Sequence, residues 1–180
     1  MEIIALIEQT LEDYWQRMDR ALEGLTPAEL AWRPDAESNS IAFIVWHVAR
    51  VEDRWIQVFA QGIADVWVRD SWHERLGLSE NEMGFGLTVE QLGKFPAIAK
   101  ENLDGYRHAV QNETQAYLKN LDVSDLEFVP GRGLAPESPA SLERFGSWSI
   151  GRMFRQVFGE FNQHLGQVSY IRGMQRGLDK

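Results

Sequence analysis

The sequence predicts an all-α four-helix bundle with long loops between helices 2 and 3 and between helices 3 and 4. Three observations carry this reading. Four long segments repeat apolar residues at three-to-four spacing. No segment alternates apolar and polar residues as a half-buried strand does. The two longest connections are punctuated by Gly and Pro. The chain of 180 residues suits a single domain over 1–180, and its 44% hydrophobic content can fill one core.

The first helix is expected over 2–24. Ile3, Ile4, Leu6, Ile7, Leu11, Tyr14, Trp15, Met18, Ala21 and Leu22 recur along it, and Gly24 stops it. Its large apolar residues occupy more than one side, which predicts burial in a homodimer. Leu25-Thr26-Pro27 opens a connection, and Pro34 disfavours helix at Arg33. The second helix begins at the N-cap candidate Ser40 and ends at Gly62. Ile44, Val48, Val51, Trp55 and Val58 or Phe59 form its apolar stripe, with Arg50, Asp53, Arg54 and Gln57 mostly elsewhere. Residues 63–87 lack periodicity and are read as an irregular aromatic loop, a common place for function. Thr88 to Gln91 has capping-box form, and Pro96 separates that short turn from a third helix at about 97–121. A second loop, 122–147, holds Pro130, Gly131, Gly133, Pro136, Pro139 and Gly146. The fourth helix, about 149–174, turns Met153, Phe154, Val157, Phe158, Phe161, Leu165, Val168 and Ile171 inward.

Charge and composition exclude several functions. The formal charge of −9 repels a phosphate backbone, so nucleic-acid binding is not expected. Residues 141–180 depart from this balance, with six basic against three acidic residues; that leaves room for an anionic small ligand there. Without cysteine there is no thiolate site, disulfide or protein thiol nucleophile. The acidic, interrupted start MEIIALIEQTLEDYW is unlike a signal peptide, and no apolar run is long enough for a membrane span. A cytoplasmic protein acting on a small molecule, with no membrane partner, is the expectation. Asn112-Glu113-Thr114 spells a glycosylation acceptor but lacks the secretory context.

The chemistry candidates are few. The histidines are His47, His73, His108 and His164. His47 lies on or beside the stripe of the second helix. Glu160 and His164, four apart, stack one turn apart near the inward side of the fourth helix, and Gln167 continues the line. A buried carboxylate without a partner costs several kcal/mol. A divalent cation would offset that cost, and two imidazoles with one carboxylate suit zinc first, with nickel or iron(II) as alternatives. The residues alone leave another reading open: hydrogen-bonded core histidines, with Glu160 paired to Arg152 or Arg155. The ExxxH spacing is loose, and neither HExxH nor ExxH occurs. His73 lies in the aromatic loop, either on the surface or lining a pocket, and His108 is expected to be exposed. Gly84-Phe-Gly86 and Gly131-Arg-Gly133 read as turns.

Three stretches resemble the DinB-like superfamily. Ser38-Asn-Ser-Ile-Ala-Phe-Ile-Val-Trp-His47-Val-Ala-Arg-Val-Glu-Asp-Arg-Trp55 resembles its second-helix signature. His164-Leu-Gly-Gln167-Val-Ser-Tyr-Ile-Arg-Gly173 resembles its fourth-helix signature. The loop from Asp70 to Leu78 and on through Gly86 is similar to one subgroup. The resemblance covers nearly the whole chain. It implies a bundle, commonly dimeric, whose metal is held by one second-helix and two fourth-helix residues: His47, Glu160 and His164 here. Most members resemble one another in using three histidines; Glu160 departs from that pattern and is similar to the mycothiol-dependent maleylpyruvate isomerase branch. The resemblance further implies a metal-dependent, thiol-using S-transferase or isomerase, with a low-molecular-weight thiol as cosubstrate. Gln167 and His73 are the candidate catalytic residues beside the metal, and Trp72 and Arg132 are loop residues placed to close a pocket. A metal-dependent hydrolase, or a non-catalytic dimeric helical module with a structural metal or none, are the alternatives.

Overall fold

The computed structural model describes residues 3–135 and 138–177; residue 2 of the expected first helix and Pro136 of the second loop lie outside them. Helix α1 (Ile3–Leu22) buries Ile7, Leu11, Tyr14, Trp15, Met18 and Leu22 along one stripe, while Ile3 and Leu6 remain exposed. A short helix α2 (Pro27–Ala31) follows within the expected connection. Thr26 and Glu29 close a capping box around it, and Pro27 occupies its first turn.

Helix α3 (Ile41–Asp53) starts where Ser40 accepts the Phe43 N–H at 3.2 Å. It continues into a π-helical stretch, Arg54–Gln61, and stops at Gly62 with φ 71°. Two short helices, α4 (Val66–Arg69) and α5 (Trp72–Leu76), interrupt the loop that was expected to be irregular. Helix α6 (Val89–Gly93) is the capped turn before Pro96, and α7 (Lys100–Leu118) is the third long helix. A 3₁₀ turn (Val123–Glu127) and helix α8 (Pro139–Phe145) order parts of the second loop. Helix α9 (Ile150–Arg176) closes the bundle. The described residues contain no strand.

The long helices form a ring: α1 packs on α9, α9 on α3, α3 on α7, and α7 back on α1. Trp46, Phe59, Tyr106, Phe154 and Phe161 are fully buried between them. Helix α3 departs from the amphipathic reading. Every residue from Ile41 to Asp53 is buried, including Arg50, Glu52 and Asp53. The loop carrying α4 and α5 covers the polar face that periodicity assigned outside the stripe. Asp53 accepts the Val66 and Trp67 N–H groups at 2.9 and 3.0 Å and the Tyr106 hydroxyl at 2.9 Å. Arg50 reaches Asp65 at 3.1 Å, and Asp65 also caps α4. Arg50 and Asp53, taken from water on this face, thus meet partners in the loop and on α7, while Arg50 Nη2 keeps none.

Glu52 is the outlying case. It accepts from Thr114 Oγ1 at 2.7 Å and Trp15 Nε1 at 3.3 Å, yet burial raises its carboxyl to about 7 from an ordinary value of 4.5. A raised acid pKa means that the folded state binds the proton more tightly than the unfolded state. Stability should therefore fall as pH rises from about 4.5 through about 7. Glu52→Gln removes the charge; its Oε1 can accept from Trp15 Nε1 while its amide N–H donates to Thr114 Oγ1, whose hydroxyl turns to the Val110 carbonyl. The variant's Tm should exceed that of the wild type by several degrees at pH 8, roughly 1–3 kcal/mol, with the gap closing by pH 5. Thermal melts across that range check this; parallel curves would refute it.

Candidate metal centre

Helix α3 delivers His47 at mid-length, 4% exposed. Its Nδ1 sits 2.6 Å from the Met83 carbonyl, which can only accept, so Nδ1 carries the hydrogen and Nε2 is left bare. The carbonyl is itself held in place. Glu82 accepts the Met83 and Gly84 N–H groups at 3.0 and 2.8 Å, and Arg50 Nε donates to the Glu82 carbonyl at 3.1 Å. Gly84 adopts φ 76°, and a Cβ there would come within 3.0 Å of the Phe43, Trp46 and His47 rings. Burial holds the His47 imidazole below its ordinary value, so it is neutral and able to ligate.

Helix α9 supplies the other two groups one turn apart. His164 Nδ1 meets Gln167 Oε1 at 2.8 Å, which again leaves Nε2 free, while Gln156 Nε2 donates to Glu160 Oε1 at 2.9 Å. The His164 imidazole 3.4 Å away, chiefly, keeps the Glu160 carboxyl below its ordinary range, so it is ionised. Neither Arg152 nor Arg155 pairs with it; Arg152 lies over the Trp148 ring at 4.1 Å instead.

One ligand atom from each of His47, Glu160 and His164 lies within 4.8 Å of the others. His164 Nε2 and Glu160 Oε2 are 3.4 Å apart. Two ligands at zinc distances of about 2.0–2.1 Å in a tetrahedron stand about 3.3 Å apart, so this edge needs almost no adjustment. The His47 and His164 rings meet edge-to-face at 5.1 Å, and Phe85 stands edge-on to His47 at 4.8 Å. The donor set, the bare Nε2 atoms and the spacing fit a divalent transition metal.

A sequence profile of the DinB superfamily matches residues 10–168. The chain belongs to the DinB superfamily. The crystal structure of a conserved protein from Enterococcus faecalis superposes with a TM-score of 0.77 at 22% identity, covering 97% of each chain; it shares the fold. No curated protein matches the sequence.

Within this DinB-superfamily bundle the remaining candidates fall in different places. Gln167 touches the site through His164. The polar neighbours of His73 are the Trp67 carbonyl at 3.2 Å, Glu80 at 3.6 Å and Glu74 at 4.0 Å, outside the triad. Trp72 packs on Tyr106, and Arg132 donates to the Phe59 and Ala60 carbonyls at the end of the π-helical stretch. His108 is exposed. Met83 and Gln156 were not singled out from the sequence. A backbone carbonyl leaves no residue-type signal, whereas Gln156 precedes Glu160 by four and was legible as a helical neighbour.

Gly84→Ala should distort both the loop and His47. Strain at positive φ together with the ring contacts should cost roughly 1–3 kcal/mol of stability and weaken zinc binding at least about tenfold. Tm and a competitive zinc titration measure the two effects; an unchanged affinity would show that the Met83 carbonyl does not orient His47.

Proposed function

We propose that this chain is a metalloenzyme that holds one divalent metal, zinc first, on His47, Glu160 and His164 and activates a small thiol for S-transfer or isomerisation. The observation that carries the reading is the pair of Nδ1 anchors: the Met83 carbonyl and Gln167 Oε1 aim two bare Nε2 atoms at one carboxylate. Membership in a generally metal-binding superfamily supports it. When bound, a metal with three protein ligands keeps a coordination position for a thiol and favours its thiolate near neutral pH. The chain has no cysteine, so the nucleophilic sulfur comes from a cosubstrate. Gln167 acts as a positioning residue for His164, and Phe85 shields His47 from solvent.

His47→Ala and Glu160→Ala should each weaken zinc binding by about tenfold to a hundredfold, whereas Glu160→His should stay near wild type because it restores three imidazoles. Elemental analysis after chelation and reloading measures this. Wild type that retains under about a tenth of an equivalent, with no melting shift on reloading, would end the proposal. A panel of low-molecular-weight thiols with a chlorinated aromatic acceptor then tests the chemistry. Thiol consumption should require both zinc and Glu160, and ester hydrolysis without thiol turnover would point to the hydrolase instead.

We also propose a homodimer, supported by Ile3 and Leu6, which are 42% and 48% exposed on α1. Light scattering should report about twice the 20.7 kDa chain mass, and a monomer at micromolar concentration would refute it.

A further inference from the structure

A cleft of about 400 Å³ opens beside the candidate metal centre, with Glu160 in its lining. Its walls come from the π-helical end of α3, the Met83–Phe85 loop, α8 and the start of α9. One wall is aromatic. Trp55 and Trp148 stack at 5.5 Å and 10°, and Phe145 stands edge-on to both, at 5.2 and 5.1 Å. Phe85, 60% exposed, flanks the other side and reaches the His47 ring.

Arg144 lies at the rim, its guanidinium carbon 5.0 Å from the centre of the Phe145 ring. Arginine ion pairs among the described residues are made by Arg50, Arg54, Arg69, Arg107 and Arg176, and Arg144 has none. The cleft therefore carries an unpaired positive charge at its mouth. An anionic ligand can enter with its charge toward Arg144 and its uncharged body along the aromatic wall. A planar guanidinium matches a carboxylate with two parallel hydrogen bonds, and a mostly apolar cleft with a cationic group at its rim selects for such a molecule. The local positive balance of residues 141–180 agrees with this.

We propose that the cleft binds a small carboxylic acid with a flat aromatic body, an aryl-carboxylate, held by Arg144 and the Trp55–Phe145–Trp148 wall. As the identity of the thiol acceptor, it rests on the metalloenzyme reading; as a binding site it is measurable without turnover.

Isothermal titration calorimetry on the full zinc-loaded chain tests it with 3-phenylpropanoate, its amide and acetate. The acid should bind with sub-millimolar affinity, the amide about tenfold or more weakly, and acetate not detectably. Arg144→Gln, a change at an exposed position, should bring the acid down to the amide's affinity and leave the amide unchanged. Equal binding of acid and amide, no binding of either up to about 10 mM, or indifference to Arg144→Gln would overturn the proposal. Repeating the titration after chelation separates the two readings. Acid binding that depends on Arg144 and survives in a protein that takes up no metal leaves the cleft standing while the metalloenzyme reading fails. Acid binding abolished by chelation but indifferent to Arg144→Gln places the carboxylate on the metal and overturns the cleft assignment alone.

Discussion

Helix α3 has no solvent face, and the rest of the structure follows from that. Thirteen consecutive residues, four of them His47, Arg50, Glu52 and Asp53, lie out of water. Leaving one such polar group unpaired costs roughly 1–3 kcal/mol, and more for a charge, whereas a made hydrogen bond returns only about 1 kcal/mol net. The partners are therefore obligatory rather than decorative. Asp53 takes the first N–H groups of α4, Arg50 takes Asp65 and the Glu82 carbonyl, and Glu52 takes Thr114 and Trp15. The long connection after α3 is ordered because it satisfies a helix that cannot satisfy itself.

The candidate metal centre is a consequence of the same constraint. Arg50 holds the Glu82 carbonyl, Glu82 holds the Met83 and Gly84 amides, and the Met83 carbonyl orients His47. A chain of contacts that begins as the pairing of a buried arginine ends by setting a histidine tautomer. On α9 the arrangement is local and simpler: Gln156, Glu160, His164 and Gln167 lie along one helical line and orient one another. The two halves of the site thus differ in kind. One depends on a loop docking across the bundle, and the other is intrinsic to a single helix.

The cleft beside the centre joins these halves to a third region. Its aromatic wall draws on α3, α8 and the turn before α9, so the second loop contributes to the site as much as the first. Arg144 stands at the rim and Glu160 within. A site with an apolar wall and a cationic group at its rim discriminates ligands by orientation as well as by size.

Local chemistry made several elements legible in the sequence. Ser40 and Gly62 bound the second long helix because a hydroxyl caps free N–H groups and glycine tolerates positive φ, and both were readable as residue types. The i, i+4 spacing of Glu160 and His164 is a property of helical pitch; their inward faces and that of His47 suggested one cation for all three, and resemblance to the superfamily favoured this over hydrogen-bonded core histidines. Periodicity could not show that α3 is buried all round, because it reports which residues share a face and not what covers the other face. Residues such as Arg50 and Asp53 look solvent-facing until a loop supplies their partners. The π-helical stretch, the Met83 carbonyl and the cleft were likewise decided in three dimensions. Each depends on backbone groups or on residues far apart in the chain, and their meeting is set by packing rather than by any local residue pattern.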